Sequence, residues 1–325
     1  MRLSLRIVAA VLTVLAASPA LAQKTAWPTR PVRFIVPFPP GGTVDPLARL
    51  VGARLTPVLG QQFIVDNRTG ASGSIGTGIA AKATPDGYTF VFIFDTHAVN
   101  PFLIPNLPFD TVKDLDPVML VATAPNAVVT SPSKPFRSFA DVIKTAKAKP
   151  DTVTYGSVGT GSLGHLGLTL VQQSGGFRIV HIPYKGGGPM TVDALGGNID
   201  LAIGTVALLT PNVKSGKLRA IATTGGQRSS ALPDVPTIAE QGFPGFSMLA
   251  WWAIAAPAGL PKPVLGKFHA ELVNVFRQPD VRQQLAEAQG MDLVVSSPAE
   301  LQKFIVAEIA RWGKVVRENK IRGDQ

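Results

Sequence analysis

The sequence predicts an α/β protein of two lobes, each built on a doubly wound, mostly parallel sheet, with a cleft between them. Three observations lead there. Short apolar, partly β-branched runs alternate with helix-like segments from Arg33 onward, the pattern of a sheet covered on both faces. The alternation lapses in the Pro- and Asp-rich stretch from Asn100 to Asp116 and begins afresh at Ser138. The chain has 325 residues, more than one hydrophobic core usually organises.

Arg2 and Arg6 precede an apolar run, Ile7 to Ala17, that is too short to span a membrane, and Ala20-Leu21-Ala22 supplies a small-x-small cleavage pattern. This predicts a secretory signal over residues 1–22, cut after Ala22, and a mature protein of a bacterial periplasm. Cysteine is absent, which excludes a disulfide scaffold, a thiolate metal site and a thiol nucleophile.

The first lobe is organised around Arg33 to Leu50. Phe34-Ile35-Val36 reads as a buried strand, Pro37, Pro39 and Pro40 stop it, and Gly41-Gly42 supplies backbone able to come close to a ligand. Thr43 or Asp45 is placed to cap the helix that follows, where Leu47, Leu50, Val51 and Leu55 recur at helical spacing. The amides at the mouth of that helix favour an anion, whereas Asp45 is expected to cap, to turn away or to pair with Arg49 four residues on. Phe63 to Asp66 is a second strand, Asn67 to Ser74 a Gly-rich turn, Ile75 to Lys82 a helix, and Tyr88 to Phe94 a buried strand ending at Asp95-Thr96-His97. Ligands of parallel sheets sit beyond the carboxyl ends of the strands, so the turns at 37–43, 67–74 and 95–98 should share one edge. Asn100 to Asp116 reads as a surface connection to strands Val118 to Val121 and Ala127 to Thr130, the latter entering the second lobe.

The second lobe repeats the pattern. A capped helix, Ser138 to Lys149, precedes strand Val153 to Tyr155, a Gly-rich turn with its helix, strand Arg178 to Ile182 and helix Met190 to Leu195. Strand Ile199 to Ile203, helix Val206 to Lys214 and strand Leu218 to Thr223 complete it. Phe246 to Ala255 is a long strand returning to the first lobe; Trp251 and Trp252 alternate across it, so at most one can point to a cleft. Helices Pro261 to Phe276 and Asp280 to Ala288 and a short strand, Leu293 to Val295, follow. Ser297 to Glu300 is a capping box opening a helix whose apolar stripe, Leu301, Phe304, Ile305, Ile309 and Trp312, is a packing face. Lobe one is thus expected over 23–126 plus 248–325 and lobe two over 127–247, with two crossing segments as the hinge.

The formal charge is +10, and removing Arg2 and Arg6 with the signal leaves 29 basic against 21 acidic residues. Lys and Arg are scattered singly without interleaved aromatics, which argues against nucleic acid and suits the steering of small anions. Gly159 to Gly164 matches G-x-G-x-x-G after a strand, but the acidic residue wanted about 20 positions on is missing. The segment offers instead the Ser157, Thr160 and Ser162 hydroxyls and free amides at a helix start, donors for a carboxylate or phosphate. Tyr155 stands where the nucleophile elbow needs its first Gly, and His165 is better placed to orient a loop or ligand than to drive acyl transfer. His97, His181 and His269 show no metal-ligand spacing, no carboxylates cluster, and nothing calls for a cofactor. Tyr184 and Lys185 end another strand before Gly186-Gly187-Gly188; Lys185 can meet an anion or be a solvated lysine beside a packed tyrosine.

Taken together and in order, WPTRPVRFIVPFPPGGTVDPLAR at 27–49, VDNRTGASGSIG at 65–76, ATPDGYTF at 83–90, THAVNP at 96–101, YGSVGTGSLGHL at 155–166, IPYKGGGP at 182–189, LPDVPTIAEQGFPGF at 232–246 and APAGLP at 256–261 resemble the Bug or TctC-like substrate-binding proteins of tripartite tricarboxylate transporters. The resemblance spans essentially the whole mature chain. It implies a type II periplasmic binding protein fold and a binding protein rather than an enzyme, a monomer that closes on a small organic carboxylate and presents it to the membrane subunits of the transporter. The contacts it implies are Phe38, Pro39, Pro40, Gly41, Gly42 and Thr43 in lobe one, with Thr96 and His97 nearby, and Ser157, Thr160, Gly161, Ser162, His165, Tyr184, Lys185 and Thr205 in lobe two. Where relatives resemble DxxPSALPH, this chain has Gly204 to Asn212, so a polar side chain is missing at Gly204 and a less polar distal group, an aromatic or aliphatic carboxylate, is expected. A sensor serving a signalling receptor would use the same closed form, and an exported hydrolase using Ser157 or Ser162 with His165 is the remaining alternative.

Overall fold

The computed structural model describes residues 27–322, and the predicted signal segment lies outside them. The chain enters as β1 (Val32–Val36), α1 (Val44–Leu59), β2 (Phe63–Asn67), α2 (Ser74–Ala81), β3 (Thr89–Phe94), α3 (Asn100–Leu103) and β4 (Leu115–Thr130). It continues as α4 (Phe139–Ala148), β5 (Thr154–Ser157), α5 (Leu163–Gly175), β6 (Val180–Pro183), α6 (Gly187–Gly196), β7 (Leu201–Thr205), α7 (Val206–Lys214) and β8 (Arg219–Thr223). The last part is β9 (Leu249–Pro257), α8 (Lys262–Arg277), α9 (Pro279–Arg282) with a π-helical extension, β10 (Asp292–Leu293) and α10 (Pro298–Glu318).

Two sheets share β4. In the first, β2, β1 and β3 run parallel, and β9 joins β3 antiparallel and carries β4 on its other side. In the second, β6, β5 and β7 run parallel, and β4 lies antiparallel between β7 and β8. In each sheet one crossing strand, β9 in the first and β4 in the second, runs against the parallel trio, and the strand beyond it, β4 or β8, runs with the trio again, so both sheets are mostly parallel in strand direction.

β4 is one strand where the sequence suggests two. Leu115 to Pro125 pair with β9, and Asn126 to Thr130 pair with β7 and β8. The change of partner falls at Pro125, a residue with no N–H to give to a ladder. Ladder partners on both sides of that point keep the backbone extended. Thr224, fully buried, ties this crossing to the return: its Oγ1 accepts from the Asn126 amide at 2.8 Å and donates to the Met248 carbonyl at 2.7 Å.

The first sheet alternates its side chains between two cores. Phe34, Phe90 and Phe92 gather with Phe268 of α8 on one face, where Phe90 and Phe268 stack at 3.9 Å. Ile35, Val91, Ile93 and Trp251 face α10, whose Leu301, Ile305 and Trp312 are buried among them. The Ser297 and Glu300 capping box that opens α10 is formed, as is a second one between Ser138 and Asp141 at α4. Trp252 falls on the other side of β9, so both tryptophans are core residues. The Asn100 to Asp116 connection is less superficial than predicted: Asn100, Leu103, Phe109 and Thr111 are buried. Phe109 and Thr111 cover His97, whose Nε2 lies 3.1 Å from the Thr111 carbonyl and whose ring stacks on Phe109.

Candidate functional site

The turns that end the strands of the two sheets meet face to face. A Cβ at Gly188 of α6 would stand 3.1 Å from the Pro40 carbonyl oxygen, and one at Gly41 3.6 Å from the Gly188 Cα. Only glycine lets these backbones come so close, and Gly41 has φ +87°, in the left-handed region. Beside this contact the Ser72 hydroxyl donates to the Thr160 carbonyl at 2.8 Å. Ser72 is itself held at φ +51°, a conformation that costs a non-glycine residue energy, and Asn100 Nδ2 steadies it by donating to its carbonyl at 3.1 Å.

Two cavities lie along this seam. The larger, of about 350 Å³, is at the small end of the range for small-molecule pockets. Phe38, Ser72, Asn100 and Leu103 line it from one side and Val158, Thr160, Tyr184 and Lys185 from the other. The smaller, of about 30 Å³, is lined by Phe38, Pro39, Gly42, Thr43, Val44 and Phe94 opposite Val158, Gly186, Gly187, Thr205 and Leu208. Phe38 and Val158 border both, making an apolar waist. Lys185 is the one ionisable side chain with aspartate or lysine-like charge lining either cavity; it is exposed and, among the described residues, in no ion pair.

The smaller cavity has a chemical feature that side chains do not reveal. It sits between the first residues of α1 and α6, and neither helix has a side-chain cap. Thr43 does not cap α1, because its Oγ1 accepts from Trp252 Nε1 at 3.0 Å. Asp45 does not cap it either: its carboxylate takes Arg49 at 3.0 Å and Asn67 Nδ2 at 2.9 Å, which removes an acid from the site. Asn67 also donates to the Phe38 carbonyl, fixing the turn. Pro46 and Pro189 occupy the third position of α1 and α6, so the free amides of each helix start are concentrated in its first two residues. By contrast the Thr205 hydroxyl is spent on the Leu208 amide of α7.

The sequence-predicted residues divide accordingly. Phe38, Thr160, Tyr184 and Lys185 line the larger cavity, and Phe38, Pro39, Gly42, Thr43 and Thr205 the smaller. Pro40 and Gly41 line neither but form the backbone seam. Thr96 and His97 are buried within the first lobe, and burial lowers the His97 imidazole to about 4 despite its bond to the Thr111 carbonyl. Ser157, Gly161, Ser162 and His165 lie behind the turn and shape it. Ser162 caps α5 through the His165 amide, and Gly161 donates its amide to His165 Nδ1 at 3.2 Å. Ser157 Oγ lies 2.7 Å from His181 Nε2 and 3.0 Å from the Gly159 carbonyl. If the hydroxyl proton goes to that carbonyl, His181 Nε2 must carry the proton that Ser157 accepts. Burial, and His165 stacked on it at 3.9 Å, push His181 down to about 3. Burial and Asp193, which accepts from its hydroxyl at 2.6 Å, raise Tyr184 to about 12. Among the described residues, no Ser–His pair lines either cavity.

Ser72, Asn100 and Leu208, which the sequence does not single out, also line the cavities, as does Val158 within the expected 157–162 turn. The Asn67 to Ser74 turn was placed on the correct edge, but nothing in its sequence says that Ser72 reaches the other lobe. Gly204 lines neither cavity: a Cβ there would meet Met190 at 3.0 Å and Leu208 at 3.2 Å, so the position shapes the cleft only through Leu208.

Two α/β sheets joined by crossing strands, with helix starts facing each other across a cavity, define a solute-binding protein. The tripartite tricarboxylate transporter family receptor model, TctC, matches residues 47–321, and the chain belongs to that family. Protein BugT of Bordetella pertussis is 38% identical over 294 residues, covering 90% of each chain. The structure of R. palustris Rpa4515 with adipate superposes with a TM-score of 0.88 at 36% identity, covering 92% of this chain and all of that one. Periplasmic binding protein BugD superposes at 0.86 with 30% identity and the same coverage. The fold is the α/β periplasmic binding protein fold of these structures, and the chain is a receptor, not an enzyme.

Proposed function

We propose that the protein is exported by a signal cut after Ala22 and acts as a monomer in the periplasm. There it captures a small organic carboxylate between lobes 23–126 plus 248–325 and 127–247, and delivers it to the membrane subunits of a tripartite tricarboxylate transporter. The observation that carries this reading is the pair of uncapped helix starts, one from each lobe, facing each other across one small cavity. Amides at a helix N-terminus favour negative charge, and two of them from opposite lobes make the anion the element that joins the lobes. The rest of the solute extends past Phe38 and Val158 into the larger cavity, toward Asn100 and Lys185. No acidic side chain lines either cavity, so the site has no partner for an ammonium group. An aliphatic or aromatic carboxylate suits the apolar waist, and adipate in Rpa4515 is an example from a relative.

A thermal-shift screen of refolded, ligand-stripped protein against di- and tricarboxylates, aromatic acids, acidic amino acids and nucleotides tests this. A solute at a hundred times its Kd stabilises the folded state by about 2.7 kcal/mol. The expected result is a raised Tm with unsubstituted carboxylates and none with aspartate or nucleotides. A shift with nucleotides alone, or with no anion, would overturn the reading.

A further inference from the structure

Asp95 is a buried carboxyl for which solute capture has so far given no role. It begins the turn after β3, is 1% exposed, and its Oδ1 has no hydrogen-bond partner. The amides of Thr96 beside it and of Leu163, the first residue of α5 in the other lobe, lie near the carboxyl and favour its charged form. Ser162 caps α5 through the His165 amide, so the Leu163 amide is left for Asp95. Leu163 and Leu166 are fully buried among Ile93, Val99, Leu103 and Trp251 of the first lobe. The first turn of α5 is thus the roof over Asp95.

We propose that Asp95 couples solute capture to uptake of a proton: as the cleft closes, α5 seals this carboxyl away from water, and as it opens the carboxyl is hydrated and ionises. The inference rests on the capture reading above. Sealing a carboxylate from water without a cation disfavours its charged form. Glu308 of α10, itself nearly buried, adds to this by repulsion and gives no compensation. Arg311, on the same helix, is drawn to Glu308 at 3.8 Å and lies over the Trp312 ring. His165 of α5 stacks on His181, and His97 on the Asp95 turn is directed to Thr111. Burial thus pushes Asp95 well above the ordinary carboxyl range, against the two amides that favour its ionised form. The closed form therefore holds a proton that the open form releases, and closing is favoured as pH falls.

Calorimetry of adipate binding in two buffers of different ionisation enthalpy measures the proton directly. Wild type should take up a fraction of a proton on binding, and its Kd should weaken with rising pH by up to about tenfold per unit in the range between the open and closed titrations. Asp95→Asn keeps an acceptor for the Leu163 amide and should lose this uptake and this slope; adipate's own titration is common to both proteins. Glu308→Gln leaves Asp95 in place and should move the slope to lower pH, which keeps the test open should Asp95→Asn fold poorly. Small-angle scattering of the ligand-free proteins, more expanded at high pH for wild type and pH-independent for Asp95→Asn, needs no solute, so it separates failure here from failure of the capture reading. An Asp95→Asn protein with the wild-type proton uptake and pH slope would overturn the proposal.

Discussion

Gly188→Ala separates closing from folding. Gly188 is the second residue of α6, and its φ lies outside the left-handed region, so alanine fits the helix. Alanine in place of a helical glycine stabilises by up to about 0.5–1 kcal/mol. The added methyl, however, would stand 3.1 Å from the Pro40 carbonyl oxygen and 3.5 Å from the Gly41 carbonyl carbon, both backbone atoms of the opposite lobe. No side chain can rotate to relieve that contact; one of the two facing backbones must give way by a few tenths of an ångström. Overpacking of this kind costs about 1–3 kcal/mol, and here the cost falls on the closed arrangement alone. Affinity for adipate should fall between about fivefold and a hundredfold, while the Tm of the unliganded protein stays level or rises. Isothermal titration calorimetry and thermal melts on the same preparation read the two numbers. A wild-type Kd in Gly188→Ala would refute the reasoning, since the seam would then not belong to the binding-competent form. Gly41→Ala is the contrasting variant: its φ of +87° strains alanine in open and closed forms alike, so Tm should fall together with affinity.

Two further outcomes follow from buried polar groups. Thr224→Val removes the hydroxyl that serves the Asn126 amide and the Met248 carbonyl, leaving a buried N–H unpaired at the crossing; unfolding in urea should show a loss of about 1–3 kcal/mol, and an unchanged midpoint would mean the two crossings are tied elsewhere. His181, lowered to about 3 from an ordinary 6.5, stays neutral when folded while the unfolded chain takes up a proton, so its contribution to stability is complete above 6.5 and is lost as pH falls toward 3. The loss should amount to a few kcal/mol and be much smaller in His181→Gln; equal acid sensitivity of the two proteins in urea melts would assign it to other groups.

The legible parts of the fold were those fixed by neighbours in sequence. Phe34 to Val36, the cap at Ser138, the capping box at Ser297 and the α10 stripe depend on residues a few positions apart, and each formed where the pattern put it. β4 was misread because its continuity depends on β9, β7 and β8, which are supplied from far along the chain. The site suffered from the same limit in another form. A hydroxyl at the mouth of a helix looks alike in sequence whether it meets a ligand, caps the helix or serves a distant residue. Ser162 caps α5 and is fully buried, and Thr43 answers Trp252, 209 residues away. Substituting Ser162 therefore tests the helix before it tests the ligand.

The turns nevertheless share a readable logic. Gly41-Gly42 just before α1, and Gly186 before with Gly187 at the start of α6, lead into helices whose third residue is proline, Pro46 and Pro189. Glycine lets the opposing backbones touch, and proline leaves the amides of the first two positions as the donors. Under the proposed function the anion is held by main-chain groups and selection is left to the walls, here Phe38, Val158 and Leu208. Alanine scanning removes no amide, so it would report such a site as nearly inert. Substitutions that add atoms at the glycines, or reshape the walls, are the ones that reach it.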